Sequence, residues 1–146
     1  MLLIMAAFEL DEQEPIVGKY KKTFVIGAHP DMVITHWPID AHRDHRVCSV
    51  LVYDAWRLSK HSFDLYYGEV MTGMQTQMFT PTVYVNIDST VELKRKAYLC
   101  HESQGTAANI EKWHEVIGRM RGHEFHCTHA EAFVKHVWRS SDMLDR

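Results

Sequence analysis

The segment TFVIGAHPDMVITHW sets two short apolar runs on either side of the three residues His29-Pro30-Asp31. TFVIGA (residues 23–28) and MVITHW (residues 32–37) are both rich in β-branched residues and both end at turn formers. Each therefore reads as a short buried strand. Parallel neighbours need a crossover of a dozen or more residues, so two strands joined this tightly are not adjacent and parallel. As a hairpin, the turn at His29 and the strand end at His36 would stand one strand length apart, roughly 16 Å at about 3.3 Å per residue.

Beyond Pro38 the pattern changes. Val47, Val50, Leu51, Ala55 and Leu58 fall on one face of a 3.6-residue period, which predicts a helix from Asp44. DLYYGEVM and TVYVNI read as two more strands, separated by the polar loop TGMQTQMFTP. Ser89-Thr90-Val91-Glu92 has the form of a capping box, with Ser89 as N-cap. The helix it opens would carry Leu93, Ala97 and Cys100 on one face. Further helices are expected over residues 109–121, ending at Gly122, and over residues 130–138. Strands alternating with helices predict an α/β fold, Rossmann-like, with a mainly parallel sheet and flanking helices.

At 146 residues the chain suits one domain, expected as a poorly defined lead (residues 1–22) followed by a single domain over residues 23–146. A net charge of −3 without a basic stripe argues against nucleic acid. No run approaches the ~20 apolar residues of a membrane span. MLLIMAAFEL lacks the positive flank of a signal peptide. Cys48, Cys100 and Cys127 are odd in number and widely spaced, which points to a reducing compartment rather than a disulfide framework. The expectation is a cytoplasmic protein.

Eleven histidines are many for this length, and histidine is the commonest metal ligand. Their positions matter more than their number. His42 and His45 lie three apart where a strand gives way to a helix, so a helical first turn would put both on one face. Sites in open α/β sheets form at such carboxyl ends. Asp44 is close enough to orient an imidazole. His29-Pro30-Asp31 closes the preceding strand in the same manner. Hydrolytic zinc sites use three His or carboxylate ligands and keep a position for water, whose proton a nearby carboxylate takes. The bland alternative is that these His and Asp side chains cap a helix and face water. GHEFHCTHAEAF holds His123, His126, Cys127 and His129, yet it lacks the H-E-x-x-H spacing.

GAHPD resembles the first motif of the PIG-L/LmbE family of zinc-dependent N-acetylglucosaminyl deacetylases, and THWPIDAHRDHR resembles the second. YYGEVMTGMQTQMFTPTVYVNID, KRKAYLCHESQ and AEAF are similar to that family's C-terminal half, so the resemblance covers about residues 23 to 138. It implies that His29 and His45 are zinc ligands and that Asp31 is the general base. His42 would polarise the amide carbonyl, with Asp44 holding it. The implied reaction is hydrolysis of an N-acetyl group from an amino-sugar conjugate, with Zn2+ as cofactor. Two departures stand out. Met32 occupies the position of the third zinc ligand, where a thioether is a poor donor for zinc. Only 12 residues separate His29 from His42, where the family has a long stretch of helices and strands. The chain thus reads as a shortened relative, incomplete in its first half. The alternatives are a catalytically inactive remnant acting as a binding or interaction module, and a histidine-rich metal store. Loss of sheet elements would expose strand edges and favour a homo-oligomer.

Overall fold

The computed structural model describes Leu2–Leu3, residues 29–100 and residues 107–138. The strand expected over residues 23–28 lies outside them. By packing, the chain divides into two compact units: Met1–Pro38, His42–Gly68 and Val134–Arg146 in the first, Ile39–Ala41 and Glu69–Phe133 in the second.

The first unit is built on parallel strands. β1 (Leu2–Leu3) pairs with β2 (Met32–His36), opposing Leu2 to Val33 and Leu3 to Ile34. β2 pairs in turn with β3 (Asp64–Gly68), from Met32 opposite Asp64 to His36 opposite Gly68. The crossover that parallel pairing requires is helix α1 (Arg43–Leu58). Its N-cap is His42, in extended conformation, whose Nδ1 accepts a hydrogen bond from the Asp44 N–H at 3.2 Å. Asp44 in the first turn and Arg57 in the last both complement the helix dipole. Lys60 and His61 then take positive φ and turn the chain back toward β3.

The buried stripe of α1 is Cys48, Ser49, Val52, Ala55 and Trp56. This corrects the expected face: Val50 is 55% exposed and Leu58 64%. The large Trp56 indole decides the phase, because its Nε1–H can donate to the Phe63 carbonyl at 3.0 Å only from the inward side. Val33, Leu65, Tyr67 and Phe63 close the same core around Cys48, Val52, Ala55 and Trp56. Burial, then the neighbouring Tyr53, pushes the Tyr67 phenol up to about 12.

The second unit contains β4 (Val83–Asn86), α2 (Val91–Leu99), α3 (Ala107–Glu124) and the greater part of β5 (Ala130–Lys135). β4 and β5 are antiparallel, with Val83 opposite Phe133 and Asn86 opposite Ala130. Three expectations fail here. Residues 130–135 form a strand, not the start of a helix. Ala130 and Ala132 are buried while Glu131 and Phe133 are half-buried, a period of two set by pairing with β4 against the helix propensity of Ala and Glu. The capping box does not form either: Thr90 is the N-cap, without a side-chain cap, and Glu92 pairs instead with Arg95 at 3.2 Å. α2 buries none of its residues, so its expected apolar face of Leu93 and Ala97 faces outward. The fold class stands as α/β with a mixed set of parallel and antiparallel strands.

Candidate functional site

Parallel pairing places the carboxyl ends of β2 and β3 side by side, and Trp37 N–H donates to the Gly68 carbonyl at 3.0 Å just beyond them. α1 begins at this edge, where α/β sheets form their sites. The first turn of α1 brings His42, Asp44 and His45 together, as their spacing predicted. The His42 and His45 rings stack with centroids 4.8 Å apart, at 27°. The contact between Asp44 and His42 runs through the Asp44 backbone N–H rather than its carboxylate. Because Nδ1 of His42 accepts there, the neutral ring carries its hydrogen on Nε2.

A third imidazole joins them that sequence reasoning did not single out. His36, the last residue of β2 and only 9% exposed, lies on His45 with ring centroids 3.7 Å apart and planes 6° from parallel. Behind the rings, the Thr35 hydroxyl and the Cys48 thiol meet at 3.7 Å, buried between β2 and α1. The available signal for His36 was its place at a strand's carboxyl end, inside the THWPIDAHRDHR segment.

His29 and Asp31 sit differently. Both are exposed, and His29 has φ of +45°, a left-handed conformation uncommon for a non-glycine residue. The Asp31 carbonyl accepts from Asp64 N–H at 2.9 Å and so ties the start of β2 to β3. Met32 opens β2 opposite Asp64. Among the described residues, no group of three or more His, Cys, Asp or Glu side chains is disposed to hold a metal ion. The stacked imidazoles show why in chemical terms. Ligand lone pairs lie in the ring plane and must converge about 2.0–2.1 Å from one zinc ion, whereas parallel stacked rings aim theirs along separate planes. The described residues do not fit the implied zinc.

The histidines of GHEFHCTHAEAF serve the second unit. His129 Nε2 lies 3.2 Å from Glu115, while the His129 and Thr128 N–H groups donate to Asp88 at 2.7 and 3.2 Å. The Cys127 thiol donates to the His129 carbonyl. Burial would raise the Asp88 pKa, yet those two N–H groups outweigh it and hold the carboxyl below its ordinary value. Near them Arg121 donates twice to Glu69, at 2.7 Å each, and twice to Glu124, at 3.0 and 2.8 Å. Hydrogen bonding by Glu69 raises the Arg121 pKa further, so this cation is fixed. Tyr84 and Phe125 stack at 5.6 Å, and the Tyr84 hydroxyl donates to Glu124.

With this geometry in hand, three solved structures share the fold. A conserved protein from Thermus thermophilus matches with a TM-score of 0.67 at 20% identity, over 92% of this chain and 64% of its own. The N,N'-diacetylchitobiose deacetylase of Pyrococcus horikoshii, in complex with an inhibitor, matches with a TM-score of 0.63 at 21% identity, over 82% of this chain and 51% of its own. GalB, the 4-carboxy-2-hydroxymuconate hydratase of Pseudomonas putida, matches with a TM-score of 0.65 at 16% identity, over 90% of this chain and 63% of its own. The chain thus spans between about half and two-thirds of the length of these structures. No protein-family model and no curated protein matches it. The likeness establishes an α/β fold shared with these structures. Since a deacetylase and a hydratase share that fold, the chemistry must be argued from the residues. Among the described residues no helix is long and apolar enough to cross a membrane.

Proposed function

We propose that this chain is a shortened protein of the PIG-L/LmbE type, acting on the N-acetyl group of an amino-sugar conjugate. One observation carries the reading: His42, Asp44 and His45 stand on the first turn of α1, directly beyond the carboxyl ends of two parallel strands. His42 presents the donor that amide hydrolysis needs. With Nδ1 accepting from the Asp44 N–H, Nε2 is the nitrogen that would donate to an acetyl carbonyl and to the oxyanion that forms when water attacks it. Asp31, the general base in this scheme, precedes β2 and His42 follows it, about 16 Å apart at ~3.3 Å per residue. Asp31 could therefore take the proton of the attacking water only from a further copy of the chain; the free amine and acetate are the products. The deacetylase among the fold neighbours supports the assignment, and the hydratase is in keeping with a fold that hosts reactions of water. A cytoplasmic location and assembly with further copies belong to the same proposal; Zn2+ held by His29 and His45 would need such assembly, since within one chain the two stand at opposite ends of β2.

The placement of His29 and Asp31 at the opposite end of β2 from His42 and His45 favours the second reading, a remnant of the enzyme that binds rather than cleaves. The deciding experiment measures zinc content and acetate release from N-acetylated chito-oligosaccharides, for the wild type, His29→Ala, His42→Ala and His45→Ala. The deacetylase reading expects about one zinc per chain, lost in His29→Ala and His45→Ala. It also expects hydrolysis lowered on the order of 100-fold in His42→Ala, the loss typical of an oxyanion donor. Zinc binding indifferent to both substitutions, with no acetate released, would sink it in favour of the remnant.

A further inference from the structure

We propose that His36 is a positioning residue that sets the ring plane of His45, an inference that rests on the deacetylase reading for its functional consequence. The two imidazole planes are nearly parallel, 6° apart, with centroids at 3.7 Å. A histidine side chain has a broad, poorly restricted second torsion, so a half-buried ring on a helix's first turn would sample many planes by itself. A flat neighbour in van der Waals contact removes that freedom and leaves the in-plane nitrogens with one orientation.

The backbone makes His36 suitable for the task. It is the last residue of β2, held in register opposite Gly68 of β3, and it is buried where His42 is exposed. The residue before it, Thr35, packs on Cys48, which lies three positions beyond His45 on α1. That contact lies one residue from His36 and one helical turn from His45, so it ties the register of β2 and α1 next to the stack. The His42 ring also stacks on His45, with centroids 4.8 Å apart and planes 27° from parallel. His36 itself is placed to act through His45 and not on a substrate.

The test compares His36→Phe, which keeps a flat aromatic face without ring nitrogens, with His36→Leu, which removes it. In histidine-labelled protein the His45 ring protons should be shifted upfield by the stacked ring in the wild type and in His36→Phe. They should move toward ordinary values in His36→Leu. In acetate-release assays His36→Leu should lower kcat tenfold to hundredfold, on the order of the loss from a misplaced site group, with KM within about twofold, and His36→Phe should recover most of it. Should His36→Leu fail to fold, His36→Gln provides the non-aromatic arm. Unchanged His45 ring shifts in the non-aromatic variant would overturn the proposal, as would His36→Phe losing as much as His36→Leu. If no variant, wild type included, releases acetate, the deacetylase reading fails and the ring shifts alone decide the stacking claim.

Discussion

The two units of this chain are held together by different physics. The first, around β2, β3 and α1, closes on one apolar cluster: Val33, Val52, Ala55, Trp56, Phe63, Leu65 and Tyr67 with Cys48. Among the described residues the second buries fewer large apolar side chains, Phe79 and Ile87 with Ala130 and Ala132. It has a helix with no buried residue and adds directional contacts: Arg121 clamped by Glu69 and Glu124, and His129 set against Glu115 and Asp88. Apolar packing is non-directional and tolerates swaps that conserve volume. A buried ion pair tolerates nothing that removes one partner, because the other is left charged and dry. The candidate site stands on the apolar unit, so its imidazoles are mounted on the part of the molecule less sensitive to charge.

The sharpest way to break this contrast is at Arg121, whose side chain is 5% exposed and whose partner Glu69 is 6% exposed. Arg121→Met alone should cost about 3–5 kcal/mol in urea unfolding, the range for orphaning a buried charge. The double variant Arg121→Met with Glu69→Leu should return close to the wild type or above it. A double variant no more stable than the single one would show that the second unit depends on something other than this pair. Next in size is Leu65→Ala in the first unit. Leu65 is almost fully buried, and its loss should cost about 2–5 kcal/mol through transfer and cavity terms. Leu65→Met should cost much less, below about 1.5 kcal/mol, since it conserves volume. A Leu65→Met variant as damaged as Leu65→Ala would remove the distinction between the units.

What the sequence disclosed follows the same division between local and long-range causes. MVITHW, DLYYGEVM and TVYVNI were legible as strands because alternation and turn residues are local signals. The grouping of His42, Asp44 and His45 was legible because one helical turn fixes it. The phase of α1 was not, since it depends on the Trp56 indole finding the Phe63 carbonyl across the loop. β5 was misread because Ala and Glu favour helix, and only the partner strand β4, more than forty residues earlier, overrides them. His36 was overlooked as a site residue for the same reason. Nothing near it in the chain says that the end of β2 and the first turn of α1 are in register, and that register is a property of the Thr35–Cys48 contact.

The gentlest probe of the contrast is pH, and its sign can be worked through. His136 in the first unit and His114 in the second are both held below the ordinary 6.5, chiefly by burial, with His61 and Lys94 respectively adding to it. For a histidine with a depressed folded pKa the unfolded chain takes up the proton first. The stability it contributes is present above pH 6.5 and is lost as the pH falls through that value toward the folded one. Both units should therefore loosen together on acidification from pH 7.5 to 5.5. His136→Phe, which cannot take up that proton, should flatten the fall in the first unit. The carboxylates divide them at lower pH. In the second unit Arg119 and then His129 hold Glu115 below its ordinary 4.5, and Glu124 is lowered as well, its burial outweighed by Arg121 and Tyr84. Asp88 is held below 3.8 by the Thr128 and His129 N–H groups. Depressed carboxyl values contribute stability above the unfolded pKa that is lost as pH drops through the folded one. These groups are largely solvated, so the effect is small, but it belongs to the second unit. Amide exchange followed residue by residue should show protection lost over residues 83–100 and 107–133 below about pH 4, while β2, β3 and α1 keep theirs. Equal loss in both units would mean that the ion pairs of the second unit contribute no more to its stability than surface charges do elsewhere.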